Sequence, residues 1–208
     1  LGADGVQITG KTIVSSYFDL SSTISYYGNG STLDGSISAT RSISANGSVV
    51  ETASEYEGSV LSGRQVTTTS GNGLSVTRQW DLTGGGAFGR TQSEVVALNA
   101  NGSTTETESW YAGSALSFRE LTLTSANGLA VTKQWDVDGN GTVDQTSSAI
   151  TQFNPDGTQT ETITNTLTGG VLKSKYVSVL SADGRTLSIS EDNDGINGFE
   201  RTRTDTSV

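Results

Sequence analysis

Along most of this chain, apolar and polar residues alternate with a period of two, and the alternation breaks at glycine, asparagine or aspartate. One clear run, Ser103 to Tyr111, sets Thr104, Glu106, Glu108 and Trp110 against Thr105, Thr107, Ser109 and Tyr111. That period places alternate side chains on opposite faces of a β-strand. Gly113-Ser114 then reads as a turn. Ala115 to Thr124 carries Leu116, Phe118, Leu121 and Leu123, and the change of phase between Phe118 and Leu121 predicts a bulge. Asn127-Gly128 is a strong hairpin signal. Leu129 to Trp135 alternates again, and a return strand is predicted from Asp144 to Phe153. Asn154-Pro155-Asp156-Gly157 has the composition of a turn. No stretch sustains the 3.6-residue period of a helix. Strand propensity comes from Thr, Val, Tyr and Trp. Connections this short make neighbouring strands pair, so the pattern predicts an all-β antiparallel meander of hairpins.

The pattern repeats. Gly73-Leu74-Ser75-Val76-Thr77-Arg78-Gln79-Trp80-Asp81 returns 55 residues later as Gly128-Leu129-Ala130-Val131-Thr132-Lys133-Gln134-Trp135-Asp136. Ala45-Asn46-Gly47-Ser48 returns as Ala100-Asn101-Gly102-Ser103, and Asn154-Pro155-Asp156-Gly157-Thr158 continues the series. One inserted residue near Gly169 shifts the last offset to 56, which aligns Asp192 with Asp136. The units are residues 1–44, a divergent copy, then 45–99, 100–153 and 154–208, each of about four strands. The chain is read as a single repeat array.

Two architectures accommodate four-stranded repeats. One is an elongated sheet or sandwich; the other is a four-bladed β-propeller. The first is preferred, because one face of most strands is Thr, Ser, Glu or Gln. Blades buried on both faces would carry more Val, Ile and Leu.

Composition agrees with a thin structure. Hydrophobic residues make up only 32% of 208 residues, with 26 glycines and a single proline, Pro155. The net charge of −10, from 12 basic and 22 acidic residues, argues against nucleic-acid and anionic-membrane partners. Cysteine and histidine are absent, which excludes disulfides, thiolate metal sites and His-based catalysis. No apolar run reads as a membrane span or a signal peptide.

The repeat places candidate chemistry at one recurrent position. Asp136-Val137-Asp138-Gly139-Asn140-Gly141-Thr142-Val143-Asp144 carries oxygen side chains at places 1, 3, 5 and 9 around two glycines. Asp136, Asp138, Asn140 and Asp144, with the Thr142 carbonyl, form a candidate Ca²⁺ site, because Ca²⁺ takes six to eight oxygen ligands. Asp192, Asp194 and Glu200 hold places 1, 3 and 9 of the corresponding later loop, where Ile196 offers a carbonyl and Asn197 is displaced by one. Solvated acidic turns without metal are the alternative. The loop Asp81 to Gly89 keeps the first aspartate and the glycines but no carboxylate at places 3 or 9, and is expected not to bind. The same holds for the segment from Tyr26 to Asp34. Trp80 and Trp135 are expected to cover the hairpin core beside the loop. The sequons at Asn29, Asn46, Asn101 and Asn140 are explained as Asn-Gly turns.

The motif Asp-x-Asp-Gly-Asn-Gly-x-x-Asp resembles the calcium loops of thrombospondin type 3 repeats, dockerins and integrin-type propeller blades. Helices and a Glu at place 12, which an EF-hand needs, are missing. Asn127-Gly128-Leu129, Trp135 to Gly141 and Asn101 to Thr107 together resemble the Thr/Ser-rich tandem repeats of large secreted bacterial proteins of the RTX and calcium-binding adhesin type. The Gly-Gly-x-Gly-x-Asp nonapeptide of a parallel β-roll is absent. The resemblance implies an exported, extracellular or cell-surface repeat segment. The expected function is a non-enzymatic, calcium-stabilised structural or adhesive segment. Its partners would be calcium and other copies of itself or surface glycans. A carbohydrate-binding module or propeller lectin is the alternative.

Overall fold

The computed structural model describes residues 7–15, 20–27, 33–196 and 198–207. The strands are β1 (Gln7–Ser15), β2 (Leu20–Tyr27), β3 (Leu33–Ile43), β4 (Val49–Glu57), β5 (Val60–Thr69), β6 (Ser75–Asp81) and β7 (Arg90–Leu98). They continue as β8 (Thr104–Ala112), β9 (Ala115–Thr124), β10 (Ala130–Asp136), β11 (Gln145–Phe153), β12 (Gln159–Leu167), β13 (Val171–Leu180), β14 (Thr186–Asp192) and β15 (Arg201–Thr206). Strand order follows chain order from β1 to β15, in one open antiparallel meander. By contacts the chain divides into two compact units, residues 1–95 with 109–115, and residues 96–108 with 116–208.

The four-bladed propeller is therefore overturned. Blades of a propeller are separate sheets, whereas here hydrogen bonds run straight across the repeat boundaries. β3 pairs with β4 from Gly35↔Glu57 to Ile43↔Val49, and β11 pairs with β12 from Gln145↔Leu167 to Phe153↔Gln159. The described strands all belong to one sheet.

A one-layer sheet has no interior. Among the described residues, Ile189 is the only buried apolar side chain, while Leu82 and Phe153 are 71% and 66% exposed. Most strand positions are half-buried, each covered by its cross-strand neighbours rather than by a second layer. The low apolar content of the sequence fits this arrangement.

Turns recur with the repeat. Ser44–Ser48, Asn99–Ser103 and Asn154–Thr158 are closed by the same backbone bonds, from the first N–H to the last C=O at 2.8–2.9 Å. The Asn46, Asn101 and Asp156 side chains each accept the N–H and the hydroxyl of the residue two places on. Ser70, Ser125 and Ser181 open a one-residue-longer version, in which Asn72, Asn127 or Asp183 accepts from the serine hydroxyl and from the N–H two residues on. Asn127-Gly128 thus does form the β9–β10 hairpin, in a β-turn closed by the Gly128 N–H to the Ser125 carbonyl at 2.9 Å, with Gly128 at φ 72°. The sequons at Asn46 and Asn101 are held in these turns; Asn29 lies outside the described residues.

The bulge expected between Phe118 and Leu121 is not seen against β10, which pairs without a shift from Asp136↔Arg119 to Val131↔Thr124. In the preceding repeat the irregularity falls nearer the turn, between Glu55 and Tyr56, where Ser62 is the extra residue.

One glycine per long loop is sterically obligatory. Gly84, Gly139 and Gly195 have φ of 69–73°, and a Cβ on each would collide with the backbone carbonyl oxygen of Leu61, Leu116 or Leu172. The loop lies directly on the neighbouring hairpin there. Gly128 has a similar φ but open space around it. We therefore expect Gly139→Ala to cost roughly 2–4 kcal/mol and Gly128→Ala about 1 kcal/mol in denaturant unfolding. Equal costs would contradict this packing.

Candidate metal centre

The hairpins β6–β7, β10–β11 and β14–β15 are closed by loops of eight residues. In each, the incoming strand ends on an aspartate. Asp81, Asp136 and Asp192 are 1%, 1% and 3% exposed, far more buried than carboxylates usually are. A carboxylate at that depth must be hydrogen-bonded or paired with charge.

The first loop satisfies its aspartate by itself. The Thr83 N–H (3.1 Å) and hydroxyl (3.3 Å) donate to Asp81 Oδ1, and the Gly86 N–H donates to Oδ2 at 2.7 Å. Burial alone would raise the Asp81 pKa. The hydrogen bonds from Gly86 and Thr83 outweigh it, and the carboxyl lies below its ordinary value of 3.8.

In the second loop Asp138 stands where Thr83 stood, so a hydroxyl donor is replaced by a second carboxylate. The Gly141 N–H still donates to Asp136 Oδ2 at 2.8 Å, but Asp136 Oδ1 is buried without any hydrogen-bond partner. Asp144 folds back to accept the Val137 N–H at 2.8 Å. Asp138 accepts the Asn140 N–H at 3.1 Å. Asp136, Asp138 and Asp144 each bring one carboxylate oxygen within 4.8 Å of the others. Asp136 is buried, Asp144 half-buried and Asp138 exposed. One cation can be held at such a point.

The third loop repeats the trio with Asp192, Asp194 and Glu200, again within 4.8 Å. Its backbone differs. Gly195, three places after the aspartate instead of five, donates to Asp192 Oδ1 at 2.7 Å. Glu200 accepts the Asn193 N–H at 2.9 Å, and Asp194 accepts the Ile196 N–H at 2.8 Å.

Six of the predicted ligands, the carboxylates, are thus brought together. Asn140 is occupied in bracing the loop: its side-chain oxygen accepts the Thr142 N–H (2.7 Å) and its amide donates to Asp138 (2.9 Å). Ile196 is exposed and enters the network through its N–H. Asn197, and residues 28–32 between Tyr26 and Asp34, lie outside the described residues.

Trp80 and Trp135 immediately precede the aspartates and so point to the opposite sheet face. Trp135 Nε1 donates to Glu120 at 2.8 Å, and Lys133 Nζ pairs with the same carboxylate at 2.7 Å. The Lys133 bond is the main cause that holds Glu120 below its ordinary pKa. Trp80 stacks on Trp110, with centroids 5.9 Å apart and planes 8° from parallel.

Sequence reasoning missed the basic residue opposite each aspartate. Arg64, Arg119 and Lys175 are the cross-strand partners of Asp81, Asp136 and Asp192. Each lies 17 residues before its aspartate, a spacing readable once the repeat is aligned.

No protein-family model and no curated protein matches the chain. Fold and site define it as an open all-β meander with two acidic clusters placed to hold a metal ion.

Asp81 supplies a sign-checked test. Its folded pKa is depressed, so its stabilisation is complete above the unfolded value and is lost as pH falls through the folded one. Asp81→Asn is expected to lower stability at pH 7 and to flatten the part of the acid-unfolding curve below about pH 4. An unchanged acid limb would contradict the role given to Asp81.

Proposed function

We propose that this chain is a non-enzymatic, calcium-braced structural or adhesive repeat segment of a secreted or cell-surface bacterial protein. The observation that carries the reading is the unpartnered, buried Oδ1 of Asp136 inside a trio of carboxylates. The neighbouring loop, on the same frame, closes the equivalent oxygen with Thr83. A loop that gives up this internal donor gains from an external cation.

The donors favour Ca²⁺. They are all oxygen, on a chain without His or Cys, and they come from a loop rather than a rigid cage. Mg²⁺ demands near-ideal octahedral geometry and sheds water reluctantly, whereas Ca²⁺ accepts irregular oxygen sets. Stabilisation by a ligand matters most where apolar burial is slight, as it is in this sheet.

Adhesion or self-association suits a sheet that leaves Leu82, Phe153 and Val171 largely exposed. Glycan binding on the Trp80–Trp110 pair is less favoured, because the Arg90 guanidinium sits over both rings, 5.7 and 4.4 Å from their centroids.

Calcium titrated into metal-free protein is expected to bind by calorimetry. At one hundred times the dissociation constant each filled site adds about 2.7 kcal/mol, or roughly 5–10 °C in melting temperature. Magnesium is expected to do much less. No heat and no melting shift with calcium would overturn the reading.

A further inference from the structure

We propose that Arg119 is an internal competitor for the cation at the Asp136 loop, so that this residue sets the loop's affinity for calcium. The proposal rests on the calcium reading above and adds a regulator to it.

All three long loops place a basic residue across from the buried aspartate, but only one is directed at it. Arg64 is turned away: its guanidinium lies over the Phe88 ring at 4.8 Å, and Nη2 donates to the Gly86 carbonyl at 3.4 Å. Lys175 Nζ lies 5.8 Å from the Phe199 ring centroid. Phe88 and Phe199 occupy the same place in their loops. At that place the middle loop has Val143, which offers no ring face to a cation. Arg119 accordingly stays with its aspartate, Nη2 at 3.9 Å from Asp136 Oδ2. Among the described residues, neither Asp81 with Arg64 nor Asp192 with Lys175 forms such a pair.

A fixed positive charge there acts in two ways. Without metal it offsets part of the repulsion among Asp136, Asp138 and Asp144. With metal bound it repels the incoming cation from the same carboxylate. The Arg119 side chain is 37% exposed, so solvent and salt reduce the effect without abolishing it. The Asp192 loop carries no equivalent opposition, because its lysine is drawn toward a ring. The two clusters therefore differ in affinity for a reason that lies outside their ligand sets.

The test uses the full chain with the other cluster disabled by Asp192→Asn and Glu200→Gln, and calcium itself as the probe in calorimetry. Arg119→Gln in that background is expected to tighten calcium binding about three- to tenfold at low salt, with a smaller gain at 0.5 M salt. Arg119→Lys keeps the charge and controls for folding; it should bind within about twofold of the parent. A purely structural Arg119 predicts the opposite sign, since loosening the loop would weaken the site. Unchanged or weaker binding in Arg119→Gln, with the parent still binding, overturns the inference alone. Absence of calcium binding in both overturns the calcium reading and the inference with it.

Discussion

The carboxylates of Asp81, Asp136 and Asp192 are buried at the ends of three strands, and among the described residues only Ile189 and four serines are buried besides them. Each is the point around which an eight-residue loop closes, by backbone N–H groups donated from a glycine of that loop. Those bonds are charge-assisted and so are stronger than neutral ones. They hold the loop down on the preceding hairpin, where Gly84, Gly139 and Gly195 meet carbonyl oxygens that no other residue would clear. The three loops share a frame and differ in how the aspartate's remaining needs are met. Thr83 completes the first from within, while the second and third gather further carboxylates.

That division follows from the one-layer design. With Ile189 the sole buried apolar side chain among the described residues, cohesion comes from strand pairing, cross-strand side-chain contacts and local closure of turns. Each contribution is small, so the ends of the hairpins matter. One margin is tied by the Asn and Asp turns, whose side chains replace backbone partners at Asn46, Asn72, Asn101, Asn127, Asp156 and Asp183. Asp156 and Asp183 are held below their ordinary pKa chiefly by hydroxyl bonds from Thr158 and Ser181. The opposite margin is tied by the buried aspartates. A cation at Asp136 or Asp192 would extend the closure that Thr83 and Gly86 give at Asp81.

Much of this architecture is legible in the sequence. Period two gave β8 to β11 nearly to the residue, because local alternation and turn chemistry both act over short range. The acidic loops were visible because their ligand spacing is itself local. The choice between an open meander and a ring was less so, since it depends on whether β11 bonds to β12 across a repeat boundary, and either outcome suits the same alternation. That the Asn140 amide also braces the loop was not legible, because it depends on the loop's backbone path. Arg119 escaped notice because its role arises from cross-strand register, which a linear reading does not display. The Asp81 loop was expected not to bind metal for want of carboxylates; the bonds from Thr83 and Gly86 that satisfy its aspartate depend on the backbone path of the loop and so were not legible.

Asp81 closes its loop through Thr83 and Gly86, whereas under the calcium proposal Asp136 needs a cation at its unpartnered oxygen. Amide hydrogen exchange at Gly86 and Gly141, whose N–H groups donate to those two aspartates, compares them within one molecule. Adding calcium is expected to slow exchange at Gly141 at least tenfold and to leave Gly86 unchanged. Equal responses at the two amides, or none at Gly141, would contradict the account.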